Sequence, residues 1–454
     1  MKKKLLSVGL ICLPFLSQAS VIGYKGDILF FTDDPTRSAD AVNYYPDGML
    51  LVQDGHVLDA GKFDTIKSKY NVDKVVDYTG KIITPGFIDL HVHYPQMEMT
   101  GKYGKQLIDW LNEYTFPTEE KYGNYDYASR MSDAFLNALT DNGTTTALVF
   151  ATSNAVSVDA FFDRALKKNM RMISGKVLMD RNAPAPLLDT PETAYSESRA
   201  LIEKWHNKGR LGYAVTPRFA PTSTEDELMV AGKLLKEFPD VYLQTHLSEN
   251  KQEVAWVKQL FPWSRSYLDV YNHYGLVTKK SIFAHSIHLD EEDYHLLGRN
   301  KASVAFCPTS NMFLGSGLFN IDKMKDSGVG TGLGTDIGAG TSLSLLQTMG
   351  AAYKVSQLRK AFADNPDAIS PLTPLENFYL ATLGGARALS LDNVIGSFLP
   401  GMEADFIVLN PASGPLLSLR EGNSTSIDDR LFAMEVLGDD RTVEHTYIMG
   451  KMMK

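Results

Sequence analysis

Eight apolar, strand-like runs recur along the middle of this 454-residue chain, and helical stretches separate them. The first run ends at His93, and the others span residues 144–151, 171–179, 211–218, 241–246, 281–285, 302–307 and 329–336. Segments between them, such as 225–238 and 343–358, carry apolar residues at helical spacing. Eight strand–helix units predict an α/β fold, a TIM (β/α)8 barrel, whose active sites lie at the C-terminal ends of the strands. The alternative is an open doubly wound sheet, which the number of units and the chain length disfavour.

The two ends of the chain differ from the middle, because they contain short strand-like runs set apart by turns. Residues 49–52 and 56–58 flank Asp54-Gly55, a pattern typical of a β-hairpin. Residues 404–409 and 443–449 form similar runs in the C-terminal tail. We therefore expect a small β-sandwich domain built from both chain ends, residues 20–83 and 392–454, beside a barrel domain of residues 84–391.

The first 19 residues have the pattern of a secretory signal peptide. Three lysines follow Met1, residues 5–16 are apolar, and the small residues Ser17 and Ala19 favour cleavage before Ser20. A buried helix or an uncleaved anchor is the alternative, but the run is short for a membrane span and Pro14 interrupts it. The pattern predicts a periplasmic or secreted protein.

Composition limits the classes of partner. The chain carries a net charge of −9, which becomes −12 once the three lysines of residues 1–19 are removed. This acidic balance argues against a nucleic-acid partner, since phosphate contacts require a basic face. No other segment resembles a membrane span, so no membrane contact is expected after cleavage. Only Cys307 remains in the mature chain, so no internal disulfide can form, and we expect it in the core.

Candidate metal ligands lie at the ends of the predicted strands. His91 and His93 close the apolar run 82–90, and residues i and i+2 of a strand point to the same side. Three later strands end at His246, His285 and Asp336. A barrel would bring these ends to one mouth, where imidazole and carboxylate groups are suitable zinc ligands with a position left for water. A single histidine at such a place is more often a core residue, but five candidates on one face predict a metal site.

Glu249 follows His246 by three residues, where the chain leaves its strand. A carboxylate there can stand beside a metal-activated water and transfer protons, and zinc lowers the pKa of such a water to about 7. The alternative role is an acidic residue that complements a helix N-terminus. The two roles are compatible, and the sequence favours proton transfer.

These residues resemble a known family. Residues 85–93 are similar to the first-strand motif of the amidohydrolase superfamily, and residues 396–406 are similar to its closing segment. Further segments resemble the guanine deaminases within that superfamily, namely residues 93–96, 110–117, 216–219, 245–250, 307–311 and 334–336. The resemblance extends from the start of the mature chain nearly to Lys454.

The resemblance implies zinc-dependent hydrolysis of guanine to xanthine and ammonia, and it implies a homodimer. It implies one zinc ion held by His91, His93, His246 and Asp336. It assigns His285, with Asp336, to the attacking water or the tetrahedral intermediate, and Glu249 to proton transfer. No lysine ends the strand 211–218, where two-metal relatives carry a bridging carboxylated lysine, and this favours one metal. Iron or manganese could occupy similar ligands.

The resemblance also implies a purine pocket. It assigns Gln96 and Arg218 to the polar edge of the ring, with Phe219 packing nearby. A guanidinium supplies paired donors and an amide can donate and accept, which suits a purine. Trp110 could line the pocket or pack in the core, and the sequence leaves both open. Two further alternatives remain: an aminohydrolase for another N-heterocycle (pterin, triazine or adenine-type), and a purine-binding relative without catalysis.

Overall fold

The computed structural model describes residues 20–104 and 106–454. The predicted signal peptide, residues 1–19, lies outside the described residues. The described strands form two separate sheets, one a barrel and the other built from both ends of the chain.

The second sheet combines four N-terminal strands with three C-terminal ones. Its N-terminal strands are β1 (Ile22–Phe31), β2 (Val42–Gln53), β3 (His56–Lys62) and β4 (Lys74–Pro85). β2 and β3 pair antiparallel with Gln53 opposite His56, which confirms the predicted hairpin. A short helix, α1 (Phe63–Lys69), follows β3.

The barrel consists of parallel strands, as the sequence predicted. Eight strands lie side by side, and an additional two-residue strand, β8, pairs with β9. The strands are β5 (Phe87–His93), β6 (Thr144–Phe150), β7 (Arg171–Gly175), β8 (Val177–Leu178), β9 (Gly212–Pro217), β10 (Tyr242–Leu247), β11 (Ser281–His285), β12 (Ser303–Phe306) and β13 (Gly330–Leu333). The predicted run 171–179 is divided at Lys176, whose buried ammonium turns away to form an ion pair with Asp189.

Backbone hydrogen bonds beyond β13 join it to β5. The amide of Asp336 donates to the carbonyl of His91 at 2.8 Å, and the amide of His93 donates to the carbonyl of Ile337 at 3.1 Å. These bonds draw the last strand end against the first, so the residues that follow β13 stand beside the histidines that end β5. The sheet is thereby almost closed at the end that carries the candidate site.

Helices cover the barrel between its strands, in agreement with the predicted alternation. The predicted segments 225–238 and 343–358 are observed as the seventh and thirteenth helices. The helices after α1 are α2 (Leu107–Trp110), α3 (Phe116–Glu119), α4 (Tyr125–Asp141), α5 (Ala155–Lys167), α6 (Pro191–Trp205), α7 (Glu225–Glu237), α8 (Lys251–Leu260), α9 (Tyr267–His273), α10 (Glu291–Arg299), α11 (Pro308–Phe313), α12 (Ile321–Asp326), α13 (Leu345–Ala361), α14 (Pro374–Ala381) and α15 (Leu383–Ala388). Among the described residues, no helix combines the length and apolar character that a bilayer span requires.

The C-terminal strands complete the second sheet. They are β14 (Phe406–Leu409), β15 (Val443–Ile448) and β16 (Lys451–Met452), with α16 (Pro415–Glu421) and α17 (Ile427–Leu437) between β14 and β15. The strand order is β16-β15-β14-β4-β1-β2-β3. The sheet curls strongly. The rings of Tyr24 on β1 and Tyr447 on β15 therefore lie 5.1 Å apart, although two strands separate them. Its concave face therefore encloses its own apolar core.

A buried ion cluster links the segment before β14 to the barrel. The Arg210 guanidinium, just before β9, donates to the carboxylates of Glu403 and Asp405. Arg171, the first residue of β7, also donates to Glu403 at 3.0 Å. Both arginines lie at the N-terminal ends of their strands, so the cluster stands at the end of the barrel opposite the candidate site. The closing segment 396–406 thus supplies the carboxylates that anchor it beneath the barrel.

Candidate active site

The strand-end residues singled out in the sequence converge at one end of the barrel. The Nε2 atoms of His91 and His93 are 3.2 Å apart, and Nε2 of His246 lies 3.3 Å from that of His93. Asp336 Oδ1 stands 3.3 Å from His91 Nε2 and 3.4 Å from His93 Nε2. The predicted convergence of three imidazoles and an aspartate is therefore observed.

A hydrogen bond to backbone fixes the tautomer of His246. His246 Nδ1 lies 2.7 Å from the carbonyl oxygen of Arg218, which can only accept, so the proton resides on Nδ1 and Nε2 is free to ligate. His93 Nε2 lies 3.2 and 3.3 Å from the Nε2 atoms of His91 and His246, and three imidazole nitrogens with a carboxylate oxygen beside them form a donor set that zinc prefers. The residues present therefore fit a single divalent metal ion.

Burial determines the protonation of this group. Removal from water lowers the pKa of His91, His93 and His246, so these imidazoles are neutral at physiological pH, as ligation requires. Burial acts to raise the pKa of Asp336, but the surrounding imidazoles, His91 foremost, outweigh it and hold the pKa at about 2. The site therefore combines neutral nitrogens with one carboxylate charge.

A second buried carboxylate supports, from behind, the strands that carry the candidate metal ligands. Asp89 accepts hydrogen bonds from the amide of His91 at 3.1 Å and from the amide of Thr335 at 3.0 Å. These bonds tie β5 to the segment that carries Asp336. Phe150, at the end of β6, packs against the rings of His91, His93 and His246 at centroid distances of 5.0, 4.5 and 4.8 Å. The ligand side chains are thus supported on both sides.

Glu249 and His285 form a pair beside the cluster. His285 Nε2 lies 3.5 Å from Glu249 Oε2 and 3.8 Å from Asp336 Oδ2. Burial raises the pKa of Glu249 to about 7, against the opposing effect of His285. Burial alone would lower the pKa of His285, but the carboxylates of Glu249 and Asp336 raise it. Glu249 can therefore exchange a proton near neutral pH.

Two side chains outside the predicted set orient this pair. Asn311 Oδ1 lies 2.8 Å from His285 Nδ1, so Nδ1 donates and Nε2 faces Glu249. Ser316 donates to Glu249 Oε1 at 3.1 Å. Asn311 ends one of the segments that carry the family resemblance, a signal that could have identified it. Ser316 lies in an irregular loop with no such signal.

A small cavity, partly open to solvent, lies directly against these groups. Its wall includes Gln96, Arg218, Phe219 and Trp110, together with His93, His246, Glu249, His285 and Asp336. Leu107, Leu111, Leu314 and Ala339 supply most of the remaining apolar surface. Trp110 both lines the cavity and packs edge-on against Phe313 at 5.7 Å, so the two roles left open by the sequence are combined.

A third side chain that sequence reasoning missed lies behind the cavity wall. Glu119, the last residue of α3, is fully buried and accepts hydrogen bonds from Arg218 and Gln96. It lies two residues beyond the segment 110–117 that carries part of the resemblance, and nothing in the local pattern distinguishes it from the exposed Glu120 beside it.

The family model for the amidohydrolase family matches residues 82–453. The chain belongs to the amidohydrolase family. Guanine deaminase of Escherichia coli strain K12 is 51% identical to it over 428 residues, which are 94% of this chain and 95% of that protein. The solved structure of E. coli guanine deaminase superimposes with a TM-score of 0.90 at 49% identity, covering 96% of this chain and 99% of that one.

Another relative has been solved with a purine bound. The structure of guanine deaminase from C. acetobutylicum with guanine bound in its active site matches this amidohydrolase with a TM-score of 0.88 and 32% identity. It covers 96% of this chain and all of the other. The expected superfamily and the barrel are thereby confirmed, and the chain is an enzyme of the hydrolase class.

Proposed function

We propose that this amidohydrolase hydrolyses guanine to xanthine and ammonia with one zinc ion per chain. The observation that carries the proposal is the cluster of three imidazoles and Asp336 at the wall of one cavity that Glu249 also lines. The high identity to guanine deaminases over almost the whole chain supports the choice of ring.

His91, His93, His246 and Asp336 would hold the zinc ion. When bound, the ion supplies Lewis acidity that makes a water nucleophilic at neutral pH. The lone pair of His246 Nε2 and the neutral state of the imidazoles support this ligand set. Iron or manganese is the alternative occupant, and metal analysis distinguishes them.

Glu249 is the proton carrier in the proposed reaction. Its carboxylate accepts a proton from the attacking water and delivers it to the ring nitrogen adjacent to C2. After the oxygen adds to C2, the remaining proton of that oxygen reaches the amino group, and ammonia leaves. A pKa near 7 suits both directions of transfer. His285 and Asp336 orient the attacking oxygen, because His285 stands between Glu249 and Asp336 at the same end of the cavity.

The cavity wall supplies the ring contacts in this proposal. Arg218 donates hydrogen bonds to acceptors on the purine edge and Gln96 completes the polar contact. Phe219 and Trp110 provide apolar surface against the ring faces. Water is largely excluded because these side chains are almost fully buried.

The test is a substrate panel on purified protein with quantified metal. Ammonia release is measured with guanine and with pterin, triazine and adenine-type rings, and Glu249→Gln serves as the matched variant because it keeps the shape and removes the base. We expect turnover of guanine above all other rings and a loss of at least about 10³-fold in the variant. A zinc-loaded enzyme without activity on guanine would overturn the proposal, and tight guanine binding without turnover would indicate a binding protein.

Two further properties belong to the same proposal. Export to the periplasm or medium rests on the pattern of residues 1–19, and the size and N-terminus of the protein recovered from a bacterial periplasmic fraction test it. A homodimer rests on the family resemblance, and light scattering of the purified enzyme tests it.

A further inference from the structure

Glu119 lies behind the polar wall of the cavity and contacts both of its hydrogen-bonding side chains. It has no exposed surface. Arg218 Nη1 donates to its two carboxylate oxygens at 3.0 and 2.8 Å, and Gln96 Nε2 donates to Oε1 at 3.2 Å. The carboxylate therefore balances the charge of Arg218 and holds Gln96 at the same time.

These contacts determine which way the Gln96 amide points. A carboxylate can only accept, so the nitrogen of the amide must face Glu119. On the other side, the amide of Gly338 donates to Gln96 Oε1 at 3.4 Å, which requires the same orientation. An amide oxygen has two lone pairs, and one remains available to a ligand.

The donors of Arg218 are fixed in the same way. Within the described residues 20–104 and 106–454, the hydrogen bonds of its guanidinium to protein are those from Nη1 to Glu119. Nε and Nη2 stay available on a side chain that lines the cavity. The wall thus presents an oriented donor next to an oriented acceptor, without net charge.

We propose that Glu119 is a positioning residue that sets the ring specificity of the pocket through Arg218 and Gln96. The inference rests on the proposed deamination of a purine. A donor beside an acceptor complements a ring edge with a carbonyl next to an N–H, as in the C6–N1 edge of guanine. A 6-amino ring presents the reverse pattern, an N–H donor next to a bare nitrogen, and leaves buried polar groups unpaired.

Without the carboxylate, the long hydrogen bond from the Gly338 amide to Gln96 Oε1, at 3.4 Å, is the support that remains for this selectivity. In Glu119→Gln the guanidinium loses its buried counter-charge, and Gln96 faces an amide that accepts or donates equally well. The side-chain amide of Gln96 can then flip, so that its nitrogen faces the cavity. The variant should bind guanine less tightly and discriminate less between the two edge patterns.

The experiment compares guanine with 2,6-diaminopurine, which carries the same reactive amino group at C2 and an amino group in place of the C6 oxygen. In the zinc-loaded wild-type enzyme we expect kcat/KM to favour guanine by about 10³-fold or more. Glu119→Gln should raise KM for guanine about 30-fold, change kcat by less than about fivefold, and reduce the preference at least tenfold. Glu119→Asp keeps the charge, and its preference for guanine should lie between those of the wild type and Glu119→Gln. Glu120→Gln, at the exposed neighbouring glutamate, should stay within about twofold of wild type.

The outcomes separate the possibilities. Equal losses for both rings in Glu119→Gln, or an unchanged preference, would overturn the inference and leave Glu119 a structural residue. If that variant does not fold, Glu119→Asp decides, since it should lose at least about threefold in preference. If wild-type enzyme releases no ammonia from guanine, the proposed function fails, and the ratio of guanine to diaminopurine dissociation constants then tests Glu119 by the same comparison.

Discussion

Removing the shared cation of the cluster beneath the barrel should destabilise the fold without affecting the chemistry. Arg210→Met leaves Asp405 and Glu403 buried close together, although Glu403 keeps Arg171. Breaking a buried ion pair on one side costs about 3–5 kcal/mol. With an unfolding entropy of about 2 cal/mol/K per residue, a chain of 454 residues changes by about 1 kcal/mol per degree, so Tm should fall by about 3–5 °C.

The loss of unfolding free energy in Arg210→Met should depend on pH in a defined direction. Burial raises the pKa of Asp405 in the wild type, against the lowering effect of Arg210, and the substitution raises it further. A carboxyl whose folded pKa exceeds its unfolded value binds its proton more tightly when folded, so its contribution to stability falls as pH rises. The difference between wild type and variant should therefore be larger at pH 8 than at pH 5.

Urea unfolding at both pH values measures this difference, and kcat at 25 °C provides the functional readout. Because the cluster lies at the end of the barrel opposite the histidines, kcat should stay within about twofold of wild type. Arg171→Met is the matched control, with a smaller loss, since Glu403 keeps Arg210. A loss below about 1 kcal/mol, or one of equal size at both pH values, would refute the reasoning.

The remaining predictions concern the site. The kcat/KM for guanine should fall as pH drops below about 7, because burial raises the pKa of Glu249 and the protonated form cannot accept a proton. Ser316→Ala removes a hydrogen bond that lowers this pKa, so the acidic limb of the pH–rate profile should move upward; an unmoved limb would assign it to another group. His246→Ala should lose most of the bound zinc in elemental analysis after dialysis, and full occupancy would exclude His246 as a ligand. Asn311→Leu should lower kcat about 10- to 100-fold at unchanged zinc content, since His285 loses the acceptor that orients it; an unaltered kcat would show that this hydrogen bond is dispensable.

The barrel and the cluster of candidate metal ligands could be predicted because the pattern that indicates them is local in sequence. Each strand is an apolar run, and each ligand ends a run, so counting runs and reading their last residues locates the site. Residues 281–285 were predicted and observed with identical bounds. The pairing of both chain ends into a second sheet followed from similar runs at either end.

What sequence reasoning missed depends on packing between distant segments. Glu119 and Ser316 acquire their roles from Arg218 and Glu249, with which they share no sequence pattern. The division of the run 171–179 is caused by a lysine whose partner, Asp189, lies in the next loop. Such roles arise only when the fold brings the partners together, because a buried polar group must find a partner wherever packing supplies one.

The order of strands in the second sheet has a consequence for synthesis. β4 lies between β1 and β14, and Thr84 pairs with Ile407, which is synthesised more than 300 residues later. Until then β4 has an unpaired edge, which is a site for association with other chains. A nascent chain truncated before residue 406 should therefore require a chaperone, whereas a chain that includes β14 closes that edge.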